Sequence, residues 1–281
     1  MKYRLVLLLL ILVSNFSANA KPKIVTSITP VASLVAMLTE DEADVVAINI
    51  SSGCPHHYQM RPSDKPKIFE SKMLIYIDDS FDSFAAKLAE KFEGKVVKIS
   101  SFGSLNFQDG KEGINWHFWL DLNNVLVFHD ELAAILIKEI PELKTVVESN
   151  KSKARAKIKS LIQLKGQELA AIKDIVVVSE SLEHFFKDID ADVVKLYKKT
   201  HSSLRDYNDI EYTLGNDTAQ CIVIDSAQDD SVYKKFHKKM VKLDSENWIN
   251  DERDGVRVDL FYRKYLEMIE LLKGCTDKNV N

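Results

Sequence analysis

The chain has 281 residues, a length that suits one large domain or two compact ones, each able to bury a core. Hydrophobic residues make up 46%, which argues against a disordered chain. The formal net charge is −4 and no basic stripe is present, so nothing in the charge pattern points to nucleic acid.

Residues 1–20 read apart from the rest. Lys2 and Arg4 make a basic start, Leu5 to Val13 is an unbroken apolar run, and Ala18-Asn19-Ala20 is a small-x-small cleavage pattern. This predicts a cleaved secretory signal peptide and a mature chain beginning near Lys21 in an oxidising compartment, a periplasm. The apolar run is too short to span a bilayer as a mature helix. No cysteine lies near the cleavage point to carry a lipid anchor, and no later stretch is apolar enough for stable membrane insertion.

Strands and helices then alternate. A buried strand is predicted over 23–27, followed by a helix over 30–39 that begins at Pro30 and carries Val31, Leu34, Val35 and Leu38 on one face. A strand over 43–49 leads into the Ser-Ser-Gly-Cys-Pro loop. Next come a short helix near 62–70, a strand over 73–77, a helix over 81–92 and a strand over 95–99. The polar segment 101–115 has no period and is the longest loop. A helix over 122–139 follows, and Pro141 opens another that runs to Gly166 or as far as Ala171. That helix, about 30 residues or ~45 Å, is read either as a solvated surface helix or as a strut between two lobes.

The pattern then restarts, with Asp-Ile-Val-Val-Val at 174–178 mirroring 23–27 and a helix over 180–188 mirroring 30–39. Strands over 191–197, 220–224 and 240–243 alternate with helices over 203–214, 229–239 and 257–273. The predicted fold class is α/β, with two Rossmann-like lobes of mostly parallel sheet joined by one long rigid helix. The divisions are a signal peptide (1–20), an N-terminal lobe (21–140), a connecting helix (141–173) and a C-terminal lobe (174–281).

The three cysteines are Cys54, Cys221 and Cys275. Export permits a disulfide. A Cys221–Cys275 bridge would close a loop of roughly fifty residues and contribute ~2–4 kcal/mol; two buried free thiols are the alternative. Cys54, before Pro55-His56, is read as a buried spacer, an accessory ligand or a reactive thiol.

Ligands of open α/β sheets sit beyond the carboxyl ends of strands. Four metal-binding side chains meet that rule: His56 after the second strand, His117 at the end of the long loop, Glu180 after Val-Val-Val-Ser, and Asp244 after Val-Lys-Leu. Neutral imidazole and carboxylate suit a first-row divalent ion. Each residue alone has a plainer explanation. His56 or His117 is a hydrogen-bonded loop residue, Glu180 complements a helix dipole, and Asp244 caps a helix or makes an Asx turn. The pattern of two from each lobe favours the metal.

Two strings sharpen this. Pro-His-His-Tyr-Gln-Met-Arg-Pro-Ser-Asp at 55–64 and Asn-Trp-His-Phe-Trp-Leu-Asp at 115–121 resemble the metal-ligand motifs of the periplasmic solute-binding proteins of zinc and manganese ABC transporters, the cluster A-I receptors. The resemblance covers essentially the whole mature chain. It implies His56 and His117 as ligands from the first lobe. Ser179-Glu180 followed by Phe185-Phe186 resembles the manganese pattern at the third position, and Asp244 matches the fourth. Asp225 stands where the family often has an additional or alternative carboxylate, and Cys221 and Cys275 resemble a disulfide pair of some Gram-negative zinc members. The chain departs from the pattern at His57, usually acidic, at Leu122, usually proline, and at Asp-Ser-Glu-Asn over 244–247. The 101–115 loop lacks the His/Asp-rich insertion of zinc scavengers.

The resemblance implies a monomeric, non-enzymatic receptor that carries Mn2+, or next Zn2+, to a cognate inner-membrane ABC permease. The rival readings are a receptor for an organic solute of siderophore or cobalamin type and a secreted zinc hydrolase. For the latter the chain offers no His-Glu-x-x-His helix and no serine elbow.

Overall fold

The computed structural model describes residues 20–49, 58, 60–107, 113–189, 193–195, 204–215, 219, 221–248 and 255–276. The order is β1 (Lys23–Ile28), α1 (Thr29–Thr39), β2 (Asp44–Asn49), α2 (Asp64–Phe69), β3 (Met73–Tyr76), α3 (Ser83–Ala89), β4 (Lys95–Lys98), α4 (Leu122–Glu139) and α5 (Lys144–Glu168). The second half holds β5 (Ile175–Val177), β6 (Val193–Lys195), α6 (Leu204–Gly215), β7 (Cys221–Asp225), β8 (Lys239–Leu243) and α7 (Leu260–Lys273).

Two four-stranded sheets form, ordered β2-β1-β3-β4 and β6-β5-β7-β8. All their pairings are parallel, with Ile24 opposite both Val45 and Met73, and Ile175 opposite both Val193 and Cys221. Parallel strands need helical crossovers, which cover both faces of a sheet, so a strand such as β1 is buried at five of its six positions. The pleat sorts alternate residues between two cores. Ile24, Met73 and Ile75 join the main cluster, whereas Val25, Leu74 and Tyr76 pack on the opposite face with Phe84 and Leu88.

That main cluster is continuous from one sheet to the other. Helix α5 runs through it with Val147, Asn150, Ala154, Ile158, Leu161 and Lys165 on its buried stripe, spaced three or four residues apart. It packs against α1, α4 and α7, and α1 also touches α7 directly. The helix is thus a strut with one buried face. A Cys221–Cys275 disulfide ties the end of α7 to the start of β7.

Two predicted helices differ. Residues Glu180–Phe186 and Ser231–Phe236 are 3-10 helical, not α-helical. In the first, five successive residues from Leu182 to Phe186 are buried, more than one face of an α-helix presents, and the tighter i→i+3 ladder suits so short an insert. No helix among the described residues is long and apolar enough to cross a membrane.

Candidate metal centre

The carboxyl end of β2 is held by the second half of the 55–64 motif. Tyr58 donates to Asp64 Oδ2 (2.7 Å), which also accepts the Arg61 amide (2.8 Å), and Asp64 is only 2% exposed. Burial and the Asp64 carboxylate push the Tyr58 phenol up to about 12, so it stays a donor. His56, His57 and Cys54 themselves lie outside the described residues.

His117 sits at the seam between the two halves, just before a 3-10 turn (Phe118–Leu120), with its ring edge-on to Phe81 (5.6 Å between centroids) and beside Trp119 (5.1 Å). Asn115 orients it. The Asn115 side-chain amide donates to the Glu180 carbonyl (2.9 Å), and its Oδ1 accepts the His117 backbone N–H (3.1 Å), so the amide orientation is fixed. Oδ1 then faces His117 Nδ1 at 2.8 Å, so Nδ1 carries a hydrogen and donates it. Nε2 points across the seam to Glu246 Oε1, 2.5 Å away. Holding one imidazole nitrogen on an oxygen acceptor while the other projects outward is how proteins aim a metal-ligating histidine.

The same segment is fastened to the second half along its length. The Asn115 carbonyl accepts His184 Nε2–H (3.0 Å), Trp119 Nε1–H donates to the Ser245 carbonyl (2.8 Å), and Tyr265 donates to the Leu120 carbonyl (2.8 Å). Lys187 pairs with Asp121 (3.4 Å), which also caps α4 through the Asn123 and Asn124 amides.

The other carboxylates crowd the strand ends of the second sheet. Glu180 follows β5; its side chain is exposed, and the contact to the His117 segment runs through its main-chain carbonyl. Asp225 ends β7, where its carboxylate accepts Ser181 O–H (2.9 Å) and the Ala227 amide (2.8 Å). Asp244 follows β8, and its Oδ1 accepts the amides of Glu246 (3.2 Å) and Asn247 (2.7 Å). This is the Asx turn that was the plainer explanation for Asp244. Burial pushes the Asp244 carboxyl above the usual aspartate range; the two amides pull it down, and the charge of Asp225 adds to the rise.

The structure therefore brings His117 next to Glu246, two residues beyond the aspartate that the sequence pattern marks. Among the described residues, no three His, Cys, Asp or Glu side chains converge on one cation-sized point. Asn115 and Glu246 were both missed in the sequence. Asn115 stands two residues before His117, a spacing that puts both side chains on one side of an extended segment. Glu246 follows an Asx-turn aspartate, and nothing in one chain's pattern says how far such a turn throws its next side chain.

Two parallel α/β sheets share one core, and His117 of the first half meets Glu246 of the second across a seam, which defines a two-lobe architecture with metal-type side chains at its junction. The family profile described as zinc-uptake complex component A, periplasmic (ZnuA) matches residues 24–271. A Rickettsia prowazekii protein, the uncharacterized protein RP014, is 35% identical over 273 residues, 96% of this chain and 89% of that one. The manganese ABC transporter substrate-binding lipoprotein PsaA of Streptococcus pneumoniae is 26% identical over 189 residues, 62% of this chain and 60% of its own length. In fold, a zinc-bound ZnuA deletion mutant superposes with a TM-score of 0.76 at 15% identity, covering 93% of this chain and 100% of the other. The chain belongs to the ZnuA family of zinc- and manganese-binding ABC transporter substrate-binding proteins.

Proposed function

We propose that this protein captures a divalent transition metal in the periplasm, Mn2+ ahead of Zn2+, and hands it to an inner-membrane ABC permease without doing chemistry on it. Cleavage of residues 1–20 would free a soluble monomer, with the lobes at 21–140 and 174–281 and the connecting helix at 141–173. The donors are His56, His117, Glu180 and the Asp244–Glu246 turn. The observation that carries this reading is the His117 ring, oriented by Asn115 and aimed from the first half at a carboxylate of the second.

The donor chemistry fits such an ion. Carboxylate oxygens suit Mn2+ better than an all-imidazole set would, although bare affinity rises from Mn2+ to Zn2+. Two acidic side chains also neutralise the charge of the cargo once it is enclosed. The apolar core shared by both sheets resists a wide hinge, so release would use a small tilt of one lobe or a loop shift on docking.

Competition titration calorimetry of the purified protein with Mn2+ and Zn2+ tests the reading. Wild type should bind both, and His56→Ala and Glu180→Ala should each weaken binding by about 10–100-fold or more. Unchanged affinity in both variants would remove the assignment, and tighter Zn2+ binding at cellular free-metal levels would reverse the metal preference.

A further inference from the structure

The carboxylate that meets His117 belongs to Glu246, whereas Asp244 is turned into its own loop. We propose that Glu246 coordinates the captured ion together with His117, and that Asp244 is a positioning residue that shapes the turn presenting Glu246. This rests on the metal-capture reading above.

Three observations support it. The first is reach. Glu246 Oε1 lies 2.5 Å from His117 Nε2, and the two residues are 129 apart in the chain, so this is a contact made by tertiary structure. Both side chains are shielded, at 11% and 8% exposure. Two ligands of one tetrahedral ion, with bonds near 2.0–2.1 Å, stand about 3.3 Å apart. Glu246 has to withdraw by less than ~1 Å to admit an ion, a change that rotation about its side-chain bonds supplies without moving the backbone.

The second is rigidity. The turn is pinned by two indoles: Trp119 holds the Ser245 carbonyl (2.8 Å), and Trp248 holds the Asp244 carbonyl (2.9 Å). Ser245 is 1% exposed. Glu246 is therefore carried on fixed backbone, as an effective ligand must be.

The third is the way Asp244 is used. Its Oδ1 already accepts two backbone amides, one of them the amide of Glu246 itself. Those two bonds tie the Asp244 carboxylate to the backbone of the turn that presents Glu246, which is the role of a positioning residue. A plain structural His–Glu pair is the competing explanation, and it predicts no contact between Glu246 and metal.

The test uses purified wild type, Glu246→Gln and Asp244→Asn, titrated with MnCl2 and ZnCl2. Co2+-loaded samples are read by visible absorption, which reports the ligand atoms. Glu246→Gln should lose about 100-fold in affinity and shift the Co2+ bands. Asp244→Asn keeps its Oδ1 acceptor, so it should lose about tenfold or less with the bands in place. Thermal melts establish that the variants fold. If Glu246→Gln does not fold, Glu246→Asp carries the test, because a carboxylate shortened by one methylene should weaken binding and displace the bands. Wild-type affinity and an unchanged Co2+ spectrum in the Glu246 variants, with wild type binding normally, would overturn this inference and leave the capture reading standing. If wild type bound neither metal, the capture reading would fall and this inference with it.

Discussion

Replacing Lys165 with methionine should make the protein more stable, and the gain should depend on pH. Lys165 lies on the buried stripe of α5, only 3% exposed. Its Nζ has no hydrogen-bond partner among the described residues; it stands 4.7 Å from the Phe185 ring centre and 6.0 Å from that of Tyr265. Burial pushes its ammonium from an ordinary 10.5 down to about 8, while the charges of Asp188 and Asp121 pull upward. That drop corresponds to a penalty of about 3 kcal/mol on the charged form. The aromatic faces return about 0.5–2 kcal/mol of cation–π attraction that methionine would forgo. The net gain for Lys165→Met at pH 7 is therefore about 1–3 kcal/mol, or roughly 2–4 °C in Tm for each kcal/mol.

The pH profile separates this cause from better packing. Because the folded-state pKa is depressed, the unfolded chain binds the extra proton between pH 8 and 10.5, and wild-type stability recovers as pH rises through that window. Below pH 8 the penalty is present in full. Urea denaturation of both proteins at pH 7, 9 and 10.5, followed by tryptophan fluorescence, measures the difference. A variant less stable than wild type at pH 7, or a gain that does not shrink toward pH 10.5, would refute the reasoning.

Three further outcomes are expected. Reducing the Cys221–Cys275 bridge, or replacing both residues with serine, should cost about 2–4 kcal/mol in denaturant unfolding, since the chain between them gains freedom when unfolded. Burial holds the His129 imidazole down at about 4, opposed by its bond to the Leu34 carbonyl (3.0 Å), so its contribution is complete above pH 6.5. Wild type should lose about 3 kcal/mol from this group as pH falls from 6.5 toward 4, and His129→Gln should show a flatter acid limb in parallel melts. Trp119→Phe leaves the Ser245 carbonyl without its indole donor, which should cost about 1–3 kcal/mol and speed amide exchange over 244–248, readable by hydrogen-exchange mass spectrometry.

Much of this molecule follows from local pattern. Val and Ile runs bounded by polar turns mark the strands, and their alternation with helices dictates parallel pairing, because parallel neighbours need a crossover. The helix over Leu122–Glu139 was readable to its ends, since Asp121 caps it through a local side-chain bond. Residues Glu180–Phe186 were less legible. Their composition is compatible with an α-helix, and their 3-10 form reflects burial on several sides at once.

What the sequence alone determined is the list of chemical groups and the strand ends that carry them: His117 before a capped helix, Glu180 after β5, Asp244 after β8. What only the tertiary structure decided is which of them meet. The approach of Glu246 to His117 depends on how two sheets are set against one shared core, and on an Asx turn locked by Trp119 and Trp248. Side-chain reach across such a seam is fixed to within an ångström by packing of residues far apart in the chain, and no local periodicity encodes that distance.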